Sequence, residues 1–143
     1  MLQEELLRIM SKNAKISTED MAAMLEASEE EIQETVARME EEGIICGYPT
    51  LINWDCTDNE MVTALIEVNV ALHRETGFDK VAERIYNYPE VNSVYLISGS
   101  FDFMVTIEGR TLREVSQFVS DKLSPLESVL STKTNFILKK YKD

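Results

Sequence analysis

The stretch Met61-Val62-Thr63-Ala64-Leu65-Ile66-Glu67-Val68-Asn69-Val70-Ala71-Leu72 decides the fold. Val62, Ala64, Ile66, Val68, Val70 and Leu72 alternate onto one side, while the other side mixes Met61, Thr63, Leu65 and Ala71 with Glu67 and Asn69. A period of two with one wholly apolar face predicts a long strand covered on that face. Beyond it, Gly77 to Tyr88 reads as a helix with Val81, Ala82, Ile85 and Tyr86 inward, ended by Pro89. Val91–Ser98 and Phe101–Glu108 read as two strands of a hairpin centred on Ile97-Ser98-Gly99-Ser100-Phe101-Asp102-Phe103. Thr111 to Leu123 reads as a second helix with Leu112, Val115, Phe118, Val119 and Leu123 inward, ended by Pro125; Val129–Leu138 is the last strand. The order βαββαβ predicts an α+β, ferredoxin-like domain over 61–143. Its helices cover one sheet face. The bare face, apolar residues among Thr, Asn, Glu and Lys, is either solvated or buried against a second subunit, and suits a homodimer interface.

Upstream, the apolar period becomes helical. Leu2, Leu6, Leu7, Ile9 and Met10 form one stripe, broken at Asn13-Ala14-Lys15-Ile16. Ser17 with Asp20 opens a second helix, about Thr18 to Leu25, with Met21, Ala22 and Leu25 inward. Glu26-Ala27-Ser28 makes a tight turn, and Ser28 with Glu31 forms a capping box for a third helix that stops at Gly43. Ile32, Val36 and Met39 are its buried stripe. Three short helices with this turn predict a three-helix, winged helix-turn-helix over 1–47. Ile44 to Tyr48 reads as a short extended segment, and 48–60 as a linker, with Leu51 and Trp54 available to pack on a neighbouring domain or subunit.

Charge divides unevenly. Residues 1–59 hold four basic and fourteen acidic side chains, net −10; residues 60–143 hold ten and twelve, net −2. The apolar run of Met61 to Leu72 is too short to cross a bilayer, and Met1-Leu2-Gln3-Glu4-Glu5 lacks the start of a signal peptide, so the expectation is a cytoplasmic protein with no membrane partner. Cys46 and Cys56 are ten residues apart with no histidine near them in sequence, which reads as two unlinked thiols and no metal site. The only histidine, His73 beside Arg74, reads as a surface residue. No nucleophile–base signature, phosphate-binding glycine loop or metal spacing is present, so no enzyme and no cofactor is expected.

The layout resembles the Lrp/AsnC, or feast/famine, regulators over nearly the whole chain. The resemblance is carried by Ser17 to Leu25, Ser28, Ile32, Val36, Arg38 and Met39 to Tyr48, with its Gly-Ile-Ile-Cys-Gly-Tyr ending. Further along it is carried by Pro89-Glu90-Val91, Gly99-Ser100-Phe101-Asp102 and Ser131-Thr132-Lys133-Thr134. It implies a DNA-binding transcription factor that dimerises through its second domain, often builds larger rings, and takes a small effector, usually an amino acid, between dimers. The effector site it implies is Gly99, Ser100, Phe101 and Asp102, with Ser98, Thr132 and Thr134 beside them. From the residues themselves two readings stand. Backbone N–H groups near Gly99 can face a carboxylate while Asp102 receives an ammonium group. Or the segment is a plain hairpin in which Gly99 gives the turn and Asp102 a local bond.

The third helix is the expected DNA reader, with candidates Ser28, Glu30, Glu31, Gln33, Glu34 and Arg38, and with Lys12 and Lys15 as nearby cations. Family members commonly present Ser, Thr and several basic residues there; this chain matches at Ser28 and Arg38 but has Glu34 and Thr35 where a basic pair is common. Glutamate can read a cytosine amino group, yet phosphate contact needs positive charge. The acidic face is therefore open to three readings: a solvated surface with Glu34 and Arg38 paired at i,i+4, DNA contact by unusual residues, or a docking face for protein partners, the last making the chain a metabolite-sensing regulator with a degenerate helix-turn-helix.

Overall fold

The computed structural model describes residues 1–72 and 77–143; His73 and Arg74 lie outside the described residues. The chain divides into two units, Met1–Leu51 and Ile52–Asp143.

The first unit holds α1 (Leu2–Lys12), α2 (Thr18–Leu25) and α3 (Glu29–Glu41). Leu6, Met21, Ala22, Ile32 and Met39 form its buried cluster, with Ile16, Val36 and Ile45 packed around it. The serine of each capping signal acts as read: Ser17 Oγ accepts from the Asp20 N–H at 3.0 Å and Ser28 Oγ from the Glu31 N–H at 3.1 Å. The reciprocal carboxylate bond of a full capping box forms at neither end among the described residues. At the other end of α3, Gly43 takes φ +75°, the Ile44 N–H donates to the Met39 carbonyl at 2.8 Å, and the Gly43 N–H donates to that of Glu40 at 3.2 Å. This Schellman closure needs a left-handed residue, which is why the helix ends at a glycine.

The turn between α2 and α3 uses a costlier solution. Glu26 is left-handed, φ 53° and ψ 39°, and it is exposed. A side chain in this region costs on the order of 1 kcal/mol over glycine. Glu26→Gly is therefore expected to raise the stability of the helical unit by about 0.5–1 kcal/mol, read as a shift in its denaturation midpoint.

The second unit orders as β1 (Val62–Val70), α4 (Phe78–Tyr86), β2 (Val91–Leu96), β3 (Phe103–Gly109), α5 (Leu112–Phe118) and β4 (Val129–Phe136). The four strands run β2-β3-β1-β4, all neighbours antiparallel. Ala64, Ile66, Val68 and Val70 of β1 join Phe103, Val105 and Ile107 of β3 under the helices, closed by Val81, Ile85, Val115, Phe118 and Leu123. Phe103 meets the Phe78 ring edge-on at 5.8 Å. The opposite face presents Thr63, Leu65, Glu67 and Asn69 beside Met104, Thr106, Lys133 and Asn135 by register. Several of its polar groups pair with each other: Asn135 Nδ2 donates to Glu67 Oε2 at 2.9 Å, Asn69 Nδ2 to Ser131 Oγ at 3.1 Å, and the Ser93 and Thr106 hydroxyls bond. It is the mixed, helix-free face that the alternation of β1 predicts.

Four sequence readings need correction. Tyr86 is exposed, not inward: at about 100° per residue it lies about 100° round from Ile85, off the stripe. Tyr88, past the helix end, packs edge-on against Phe118 at 5.7 Å instead. Leu112 is also exposed, because the Thr111 cap starts α5 a full turn before the buried stripe begins at Val115. In α3, Thr35 is buried between Ile32 and Met39, and Val36 only half-buried; the Thr35 hydroxyl is satisfied by the Glu31 carbonyl at 2.8 Å. The connecting segment is not featureless. Trp54–Cys56 forms a 3-10 turn started by Asn53, whose side chain accepts from the Asp55 N–H at 3.2 Å, while Leu51 stays exposed.

Candidate functional site

Two sets of residues are candidates, one on each unit. On the helical unit, burial of Ile32, Thr35 and Met39 turns the remaining sides of α3 to solvent. Ser28, Glu30, Glu31, Gln33, Glu34 and Arg38 are all exposed, as are Lys12 and Lys15. At about 100° per residue, Glu30, Glu34 and Glu41 form the outermost line, Gln33 and Glu40 one flank, and Glu31 and Arg38 the other. Gln33 and Glu40 line a cleft of about 340 Å³ with Met10, Ile16, Val36 and Tyr48. Burial, and then the charge of Glu40, raise the Tyr48 phenol above its ordinary range. Ser28 Oγ is engaged as an acceptor, which leaves its own O–H free to donate outward.

The pairing of Glu34 with Arg38 does not occur. The Arg38 guanidinium instead donates to the Gln3 side chain of α1 at 3.4 Å. Among the described residues, Lys12, Lys15 and Arg38 form no ion pair. Thr35 leaves the candidate face altogether. The presented surface is therefore one guanidinium, one hydroxyl and one amide among carboxylates, on a unit of four basic and twelve acidic residues, 4 − 12 = −8.

On the sheet unit, the hairpin turn closes through the Ile97 N–H donating to the Asp102 carbonyl at 2.8 Å. Ser98, Gly99 and Ser100 are exposed at its tip; Phe101 and Asp102 are half-buried. Asp102 ties the hairpin to the end of β1. Its N–H donates to the Val68 carbonyl at 3.0 Å, and its carboxylate Oδ2 accepts from the Val70 N–H at 2.9 Å. That amide needs a side-chain acceptor because it faces the β3 side of β1, where the β1–β3 ladder ends at Val68 and Phe103, two residues short of it. Thr132 stands opposite Val68 on the other side of β1, and Thr134 opposite Ile66. Asp102 and Thr132 thus flank the same end of β1, roughly 10 Å apart at two strand spacings, both on the described unit; Thr134 lies one step further in.

Gly99 does not supply turn geometry as read. Its φ is outside the left-handed region, and an added Cβ would meet only the Ile97 Cγ2 at 3.5 Å, ordinary contact. The local fold places no demand for glycine there. Asp102, by contrast, has a structural duty that spacing along the chain does not reveal. Asp102→Ala would leave the Val70 N–H without its acceptor and is expected to cost about 1–3 kcal/mol, with Asp102→Asn, which keeps an acceptor, costing less. Urea denaturation of the two variants against the unsubstituted chain checks both values.

Among the described residues, no group of three His, Cys, Asp or Glu side chains is placed to hold a metal ion. No helix among them is long and apolar enough to cross a membrane. Cys46 and Cys56 are free and exposed.

A helix-turn-helix unit joined to a ferredoxin-like unit with a latched Gly-x-x-Asp hairpin is the architecture of a ligand-responsive regulator. The family model described as the Lrp/AsnC ligand binding domain matches residues 63–143, and the chain belongs to the Lrp/AsnC family. It is a regulator of that family. It is similar to the HTH-type transcriptional regulator YugG of Bacillus subtilis, 46% identical over 141 residues that cover 98% of this chain and 85% of YugG. It is also similar to the leucine-responsive regulatory protein of Haemophilus influenzae, at 25% over 138 residues, 96% of this chain and 82% of that one. Among solved structures, the transcriptional regulator NMB0573 of Neisseria meningitidis, in complex with L-Met, superposes with a TM-score of 0.75 at 21% identity, covering 99% of this chain and 91% of that one.

Proposed function

We propose that this chain is a DNA-binding transcriptional regulator that works as a homo-oligomer and responds to a small metabolite of the amino-acid class. The observation that carries the reading is the division of labour in α3. Ile32 and Met39 are committed to the core with Val36 packed at its edge, and its Ser28-to-Arg38 surface has no structural duty beyond the Ser28 cap and one bond to Gln3. A helix held this rigidly with its outer side free is what the major groove admits. Lys12, Lys15 and Arg38 supply the phosphate contacts in this reading, and Gln33, Glu30, Glu31 and Glu34 the base-edge contacts. The effector is assigned to Ser98, Gly99, Ser100, Phe101 and Asp102 with Thr132 and Thr134. An exposed tip carrying a glycine that the fold does not require supports that assignment. The mixed sheet face supports a dimer, and residues 1–47, 48–60 and 61–143 serve as reader, linker and effector-binding oligomerisation domain. The setting is the cytoplasm.

One observation favours a second reading. The net −8 of the helical unit and the capture of Arg38 by Gln3 suit a degenerate helix-turn-helix that acts through protein partners. Retention of the chain's own upstream DNA in a gel, at low salt and with an amino-acid mixture present or absent, separates the two. Specific retardation altered by the mixture supports direct DNA binding. No retention of any genomic fragment, together with mixed oligomers recovered from cells, favours the second reading.

A further inference from the structure

The helical unit has a cleft to which neither the DNA reading nor the effector reading assigns a ligand. Its volume is about 340 Å³, at the lower end of the range of about 300–1,000 Å³ for small-ligand sites. Three half-buried apolar side chains, Met10, Ile16 and Val36, form its floor, and Gln33, Glu40 and Tyr48 give it a polar side.

Local bonds hold both walls. In the turn between α1 and α2, the Asn13 side chain accepts from the Lys15 N–H at 3.0 Å and the Asn13 carbonyl from the Ile16 N–H at 3.4 Å. On the other side, the Ile45 N–H donates to the Met39 carbonyl at 3.1 Å and anchors the segment that carries Tyr48. Walls set by such bonds need little ordering when a ligand arrives.

The charge of the cleft has one sign. Glu40 is the charged side chain in its lining, with no cation there among the described residues. Glu40 lies close enough for its charge to act on the Tyr48 phenol. Among the described residues, the Gln33, Glu40 and Tyr48 side chains make no hydrogen bond or ion pair within the helical unit. The whole unit carries −8. An anion is repelled here, and a neutral molecule leaves the carboxylate without a partner. A cation with an apolar body satisfies the carboxylate, the floor and, through its charge, the face of an aromatic ring.

We propose that this cleft binds a small organic amine in its protonated form. The ammonium sits by the Glu40 carboxylate and the Tyr48 ring, and the apolar body covers Met10, Ile16 and Val36. Charge complementarity selects this occupant. Such a ligand lies against the flank of α3 that carries Gln33, so it gives the helical unit an input of its own, separate from Gly99, Asp102 and the other effector residues. The inference uses the structure of the helical unit alone and does not rest on the DNA reading.

NMR of the full chain with methyl-labelled methionine tests it. Met10 reports the cleft, while Met61 and Met104 report the sheet unit. Three probes of one shape and different charge are titrated: 2-phenylethylamine, 2-phenylethanol and phenylacetate. The amine is expected to shift the Met10 methyl saturably, with Met61 and Met104 unmoved and the alcohol and the anion without effect. Glu40→Gln, an exposed and near-isosteric change, is expected to weaken the amine about fivefold, the upper end for an exposed ion pair. Tyr48→Leu, which keeps an apolar group but removes the ring, is expected to weaken it about two- to fivefold. Equal shifts from the amine and the alcohol, or an affinity that Glu40→Gln does not change, overturn the assignment of a cation. Shifts at Met104 without Met10 place the amine on the sheet unit and overturn the site. So does an unmoved Met10 at the highest soluble concentration of the amine.

Discussion

Ile32→Ala is expected to unfold the helical unit while the sheet unit stays folded. Ile32 is fully buried at the centre of a cluster of only five buried side chains. Truncating a buried isoleucine to alanine costs about 2–5 kcal/mol. A unit of this size, Met1–Leu51, has a total stability of only about 3–8 kcal/mol at typical values per residue. The loss is thus comparable to everything that holds the three helices together, and the sheet unit has a buried core of its own, of which Ile32 is not a member. Circular dichroism at 222 nm should fall sharply, since α1, α2 and α3 contain most of the helix. Sedimentation should still report the same assembly. A single coincident transition for both units would show that they do not fold independently, and near-normal helicity that Ile32 carries less of the helical unit's stability than its burial implies.

The second large effect is electrostatic. Glu30→Lys with Glu34→Lys takes the helical unit from −8 to −4 and places two cations on the outermost line of α3. With α3 in the groove, a long lysine side chain on that line can reach a phosphate at the groove wall, and each such contact steepens the salt dependence of binding by about 0.9 in log–log slope, so about 2 for the pair in each copy. Affinity at low salt is expected to rise at least about tenfold. The structural cost is small. Both positions are exposed and make no core contact; only Glu30 lies in the first turn, where losing a carboxylate costs about 0.3–1 kcal/mol of dipole interaction. An unchanged slope and affinity would mean that α3 does not approach DNA.

How far the sequence carries can be judged element by element. The alternation of Val62 to Val70 predicts β1 and which side of it is covered, because a strand buried on one face has no other way to distribute apolar residues. Ser17, Ser28 and Gly43 mark helix ends because orphan N–H and carbonyl groups need local partners, and those partners are close in sequence. Local pattern fails where neighbours decide. Tyr86 and Leu112 have apolar rings and chains but lie off the covered face or before it begins. Thr35 is polar yet buried, because the Glu31 carbonyl one turn back satisfies it. At the candidate sites the residue types and the hairpin are legible, and the bonds that govern them are not. Asp102 takes a backbone amide 32 positions away across the sheet, and Arg38 a side chain 35 positions away on α1. Nothing in the spacing of either residue announces such a partner.

The central claim, direct DNA binding by a helical unit of net negative charge, is tested by fluorescence anisotropy of the full chain on its own upstream DNA across a salt titration, with and without an amino-acid mixture. The account predicts sequence-preferring binding whose logarithm falls with log salt at a slope of about −2 to −3 for each helical unit engaged, the value for the few phosphate contacts that Lys12, Lys15 and Arg38 of one copy can make, and a change in affinity when the mixture is added. Absence of binding at every salt concentration, with and without the mixture, would contradict it and turn the acidic face of α3 into a protein-docking surface.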